Sequence, residues 1–236
     1  MADIINLFMQ TWPGFLKAAW FTLRLTAVAL VFGSVVGLIV AFMRLSKWRI
    51  ISGLSQIYIT MVRGTPLILQ IYVLYWGMRE IILLDRFWAG VIALAIHNGA
   101  YIAEIFRGAI QSIDKGQAEA ARSLGMSLPL TMRRIILPQA FKRAIPPLGN
   151  QFIIGLKDSS LVGFIGYQEL YMFSNSTAAR TLLNLESYMI AGLYYLALVL
   201  IFTYIVHRLE QRLDVDNNHK GGVTHVEGTH GRGAQA

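Results

Sequence analysis

Residues 117–161 read QAEAARSLGMSLPLTMRRIILPQAFKRAIPPLGNQFIIGLKDSSL, and most of the chain on either side is apolar enough for lipid. The first part of this stretch is not. Glu119, Ala120, Ala121, Arg122 and Leu124 favour a short helix, because Ala, Glu, Arg and Leu lose little entropy there. Gly125 stands where a glycine ends a helix. Ser127 can cap a second short helix over Leu130–Leu137, with Pro129 near its first turn and Arg133 and Arg134 along it. Pro138, Pro146 and Pro147 then read as punctuation on the way back to the bilayer. A helix–Gly–helix hairpin between apolar runs is either a basic surface loop lying on headgroups or an element shaped to dock something.

The surroundings are those of a membrane protein. The 236 residues are 55% hydrophobic and 14% charged, with a mean hydropathy of +0.51. Soluble proteins carry about 25% charged residues. The net charge of +8 sits in loops between apolar runs, where it sets topology and meets anionic headgroups, which argues against nucleic acid as a partner. The absence of cysteine excludes disulfides and thiolate metal sites. No Lys/Arg cluster precedes the first apolar run, so the N-terminus lacks the shape of a cleaved signal peptide.

Five spans are predicted. Residues 1–16 are amphipathic, with Trp12 and Trp20 suited to an interface. Leu25–Met43 is an uncharged span whose Gly33 and Gly37 permit close helix approach. The second span, Ile50–Met78, is interrupted at Arg63-Gly64-Thr65-Pro66, where Pro66 kinks it. Arg63 is either a structural arginine held by a carboxylate or a helix C-terminus, or a residue of a pathway. The third span, Phe87–Phe106, places Asn98, Tyr101 and Glu104 near one face, where polar groups meet neighbouring helices or line a pathway. His97 beside them reads as structural. Ala144–Leu156 is too short to cross, and Lys157-Asp158-Ser159-Ser160 predicts a helix break before Leu161–Gly166 completes the crossing. Glu169 either meets a cationic substrate group or caps a helix N-terminus. Residues 170–186 form an external loop or interfacial helix, and Tyr188–Val206 is the fifth span. Residues 214–236 read as a disordered polar tail. The loops after spans one and three, with the tail, hold 14 of the 21 basic residues, which puts the N-terminus outside and the C-terminus in the cytoplasm.

Motifs for catalysis are missing: there is no GxxxxGK[ST], no HExxH and no GxSxG. No catalytic residue and no metal site is expected. Five spans without an internal repeat also argue against a secondary transporter, so a pore would need a partner chain.

The ordered motifs EAARSLG (119–125), LPQAFKRAIPPLGNQFI (137–153), LKDSSL (156–161), VRGTP (62–66) and NGAYIAEIFRG (98–108) closely resemble the permeases of binding-protein-dependent importers of the ATP-binding cassette class, and within them the polar amino-acid uptake family. The resemblance covers residues 10–213. It implies an all-α, five-helix type I importer (MetI-like) permease domain over 1–213, with a cytoplasmic coupling loop at 111–143. It implies a bacterial inner membrane location, a second permease subunit, a pair of cytoplasmic ATPase subunits that bind the ATP and Mg, and an external amino-acid-binding protein. Glu119, Ala120, Ala121, Arg122, Leu124 and Gly125 would dock the ATPase. Arg63, Asn98, Tyr101, Glu104, Lys157, Asp158 and Glu169 become candidates for the substrate pathway, with Glu169 favouring a cationic amino acid if it faces the cavity. A scaffold or regulatory subunit that docks a cytoplasmic partner without transporting is the alternative.

Overall fold

In a computed structural model, residues 2–212 are described, and all regular elements among them are helical. The predicted tail at 214–236 lies outside the described residues. The longest element is α1, Ala2–Arg44, with 43 residues. At about 1.5 Å per residue, that is roughly twice a ~30 Å hydrocarbon core. The sequence predicts an amphipathic 1–16 segment apart from a span at Leu25–Met43; the structure joins them. The hydroxyls of Thr11, Thr22 and Thr26 are satisfied within the helix, each donating to a carbonyl one turn back. Leu7, Phe15, Ala18 and Ala19 pack against Leu170, Ile190 and Ala191 and so bury the N-terminal half.

The second predicted span is interrupted where expected, at Thr65-Pro66, and bends sharply there. Helix α2, Arg49–Gly64, and helix α3, Leu67–Tyr72, meet at 104°. The cause is local. Thr65 precedes a proline and is extended (φ −118°, ψ 144°), so α2 cannot continue, and Pro66 starts α3. A π-helical turn at Val73–Gly77 prolongs α3.

Helix α4, Arg86–Gln111, is capped by Asp85, whose carboxylate accepts from the backbone N–H groups of Phe87 and Trp88. It is the centre of the bundle and runs along α1. A Cβ at Gly37 would come within 2.6 Å of Ile102, so the predicted close approach is made. Leu25, Ile71, Leu94 and Val162 form one core, and Ile102, Phe106, Ile136 and Ala140 another.

Helix α5, Lys115–Ser123, starts at the Asp114 cap. Helix α6, Leu128–Thr131, passes through a π-turn at Met132–Ile136 straight into α7, Leu137–Asp158. The second short helix is therefore an extension of a span rather than a separate piece, and Pro138, Pro146 and Pro147 lie inside the helix instead of interrupting it. Pro138 sits in the first turn of α7, directly after the wider π-turn, where a proline ring meets the least obstruction. The predicted break after Asp158 is present as a change of helix type, with a 3-10 segment at Ser159–Ile165. Helix α8, Leu170–Thr181, and helix α9, Asn184–Arg212, complete the described chain. By length and hydropathy α1, α4 and α9 can each cross a membrane, and α2 with α3 adds a fourth if the bent pair is one span; α7 is not among them.

Candidate functional site

The hairpin at 115–136 is built on one turn. Gly125 has φ +82°, the left-handed region that glycine enters without strain. Its N–H bonds to the Arg122 carbonyl at 2.9 Å, and Met126 N–H bonds to the Ala121 carbonyl at 3.1 Å. This is a Schellman closure of α5, which satisfies carbonyls the helix end would otherwise leave open. Leu124 is consequently thrown outward and is 84% exposed. Glu119, Ala120, Arg122 and Gly125 are exposed beside it. Ala121, predicted on the docking surface, is instead buried and contributes no outer surface. Ile113 is buried with Ile136 and Ala140, and Ala118 packs on them, so the hairpin sits on the bundle's own core.

The predicted pathway residues do not share one lining. At the α2–α3 bend, the Arg63 guanidinium lies 5.0 Å from the centre of the Tyr101 ring, and His97 is 5.2 Å from the same ring. Arg63 is exposed, in the last turn of α2, and forms no ion pair among the described residues. Of its two structural readings, the carboxylate partner is absent and the helix C-terminus is present. Gln70 completes this group. Its amide donates to the carbonyls of Val62 and Thr65, freed by the helix break, and its carbonyl oxygen lies 3.2 Å from His97 Nδ1. A cavity of about 400 Å³ opens here, lined by Met61, Val62, Thr65, Leu69, Gln70 and Ile96 among others.

Asn98, on α4, does not join this group: it is 1% exposed and has its own partner, since Gln151 of α7 donates to its Oδ1 at 2.7 Å, while its Nδ2 donates to Leu94 O. Both ends of the amide are engaged between helices, so the pathway reading of Asn98 gives way to the interhelical one. Replacing Asn98 by Leu leaves the Gln151 amide unpaired and should cost about 1–2 kcal/mol. Melting in detergent reads this, and N98L/Q151L should lose less than the two single variants together.

Glu104 is also occupied, by Arg107 one turn on, whose Nε and Nη2 reach both carboxylate oxygens with a shortest approach of 2.6 Å. Lys157 is exposed and Asp158 half-buried at the end of α7. Glu169 is fully buried. Its oxygens accept from Tyr171 N–H (2.8 Å) and Met172 N–H (2.7 Å), and the Tyr195 hydroxyl donates to it at 2.5 Å. It caps α8, and the reading as a substrate carboxylate is corrected: no oxygen is left facing a cavity. Arg180, its other conceivable partner, donates to Ser176 O.

Gln70, Gln151 and Tyr195 escaped the sequence reading. Gln70 stands four residues after a helix-breaking proline, a position from which a side chain can reach freed carbonyls. Gln151 and Tyr195 carry no local signal, because their partners are far away in sequence.

Comparison with known proteins follows the same lines. The family described as "Binding-protein-dependent transport system inner membrane component" matches residues 33–215. The arginine transport system permease protein ArtQ of Bacillus subtilis is 36% identical over 203 residues, covering 85% of this chain and 93% of that protein. The glutamine transport system permease protein GlnP of Escherichia coli is 37% identical over 210 residues, covering 86% and 96%. The L-cystine permease TcyB of B. subtilis is 37% identical, covering 86% and 88%. Among solved structures, one titled as an amino acid ABC transporter with histidines superimposes with a TM-score of 0.83 at 39% identity, covering 87% and 96%. An inward-facing MetNI methionine transporter gives 0.74 at 20% identity over 84% and 95%, which speaks to the fold alone.

Proposed function

This chain belongs to the family of binding-protein-dependent transport system inner membrane components, and from that premise we propose that it is the permease subunit of an ATP-driven importer of polar amino acids. The fold is that of the type I importer permeases, all-helical and membrane-embedded. An external binding protein delivers the solute, two permease subunits form the passage, and a pair of cytoplasmic ATPase subunits binds ATP and Mg and drives alternating access. The N-terminus lies outside and the hairpin lies in the cytoplasm, as the distribution of basic residues supports. The observation that carries the reading is the hairpin itself. A left-handed glycine, a closed helix end and an exposed Leu124 form a rigid apolar knob on a bundle that binds no nucleotide by a phosphate-loop motif. Glu119, Ala120 and Arg122 surround the knob and would meet a groove on the ATPase.

With Glu169 engaged inside the fold, nothing in this chain favours a cationic over a neutral substrate, so arginine, glutamine and cystine stand equally as candidates. The test is ATP hydrolysis by this chain with its ATPase partner in proteoliposomes, in the presence of the binding protein and each amino acid in turn. Stimulation by one amino acid, with its uptake, supports the importer and names the solute. A chain that recruits the ATPase yet moves no amino acid would overturn the transport reading.

A further inference from the structure

The coupling hairpin is inserted between two spans, α4 before it and α7 after it. A push on such an insertion does useful work only if its two exits move together. If they can part, the hairpin swings on its base and the spans stay still. The two exits are tied. Arg143, in the second turn of α7, donates through Nη1 to the backbone carbonyl of Ser112 and, at 3.1 Å, to the Ser112 hydroxyl. Ser112 is the C-cap of α4 and its last residues before the hairpin begins are only Ile113 and Asp114, the latter being the cap of α5. Its hydroxyl in turn donates to Ala109 O at 2.8 Å, so the guanidinium grips the end of α4 rather than a loose loop.

The chemistry suits the place. The last carbonyls of a helix have no partner of their own and carry the negative end of its dipole, so a fixed cation there is favourable. Both bonds come from the one nitrogen Nη1, whose two N–H groups serve the carbonyl and the hydroxyl, and the guanidinium carries a permanent charge. Deeper in the bundle the same two helices are joined a second time, by Gln151 and Asn98. Helices α4 and α7 are therefore pinned at two depths, with the hairpin growing from the outer pin.

We propose that Arg143 is a positioning residue for energy coupling: by holding the C-terminus of α4 to α7, it makes the hairpin base one body, so that motion of the ATPase reaches both spans at once. The proposal rests on the importer reading. It concerns the base of the hairpin and not its docking tip, so Arg143 is not needed for the ATPase to bind.

The experiment uses the full transporter in proteoliposomes and measures amino acid moved per ATP hydrolysed. For Arg143→Ala we expect the ATPase to co-purify as with wild type, basal hydrolysis to stay within about twofold, and uptake per ATP to fall about fivefold or more. A residue that only stabilised the fold would lower the amount of folded complex but leave that ratio alone. The absence of native cysteine allows a second arm. In S112C/R143C the ratio should be low while the thiols are free and should recover when a short bifunctional thiol reagent bridges them. An unchanged ratio in Arg143→Ala overturns the proposal. So does loss of ATPase co-purification, which would make Arg143 part of the docking surface, and so does a bridged variant that stays uncoupled. If wild type itself recruits no ATPase, the importer reading fails and not this inference alone.

Discussion

Gly125→Val should abolish uptake, to below about a tenth of wild type, while Gly125→Asn should keep most of it. Nothing lies within 4 Å of a Cβ built at Gly125, so neither variant meets a clash. The whole difference lies in the backbone. A φ of +82° is ordinary for glycine, acceptable for asparagine and a severe outlier for a β-branched residue. Holding such a residue there costs about 1–3 kcal/mol, enough to shift the turn out of its closed form in much of the population. Opening it frees the Ala121 and Arg122 carbonyls, and Leu124 leaves the position from which it projects. Co-purification with the ATPase, followed by uptake, reads the effect. Equal failure of both variants would mean that side-chain bulk matters and that the groove closes over this glycine. Full activity of Gly125→Val would remove the turn from the docking surface.

Glu169→Ala should be the most destabilising single change at the end of the bundle away from the hairpin. It strips the cap from α8 and leaves the Tyr195 hydroxyl with no acceptor in a site closed to solvent. Losing a cap costs about 0.5–2 kcal/mol and a buried orphaned hydroxyl about 1–3, so a loss of about 2–4 kcal/mol is expected. Glu169→Gln keeps one carbonyl acceptor, which at the Oε2 position still serves both the Tyr171 N–H and the Tyr195 hydroxyl, and should cost less, about 1–2 kcal/mol, with the Met172 N–H left facing an amide nitrogen. The side chain cannot simply turn elsewhere, because Gly163 lies against it: a Cβ there would be 2.6 Å from Glu169 Oε1. Melting of the purified chain measures both variants. Uptake per folded molecule should be the same for Glu169→Gln as for wild type, with cationic and neutral amino acids alike. A variant that melts like wild type but loses cationic substrates would return Glu169 to the pathway.

The parts legible in the sequence were those written in local physics. The apolar runs marked α1, α4 and α9; Gly125 marked the end of α5; and Lys157-Asp158-Ser159-Ser160 marked the change of helix type. The prolines misled, since a proline removes one donor and crowds one carbonyl, and the π-turn before Pro138 leaves room for it. Pattern can place Asn98, Tyr101 and Glu104 along one face of α4, but it cannot say which of them already has a partner. Asn98 is taken by a residue 53 positions away and Glu104 by one three positions away. Only the second could have been suspected from spacing. The two alternatives for Glu169 differ by whether one carboxylate turns toward its own backbone, a choice settled by Tyr195 on another helix.

The makeup of α7 bears on how the protein is made. A segment leaves the translocon for lipid when its own hydrophobicity favours it. α7 carries Lys142, Arg143, Lys157 and Asp158, with three prolines, and is not apolar enough to do so by length and composition. Its buried face is complementary to helices already synthesised, through Asn98, Ile102 and Phe106 of α4. Integration of α7 must then be assisted by the earlier helices, entering beside α4 as a preformed partner instead of alone. The apolar α9, made last, closes over it. Biogenesis of this chain is thus an ordered assembly, in which a defect in α4 should appear first as failure of a later segment to insert.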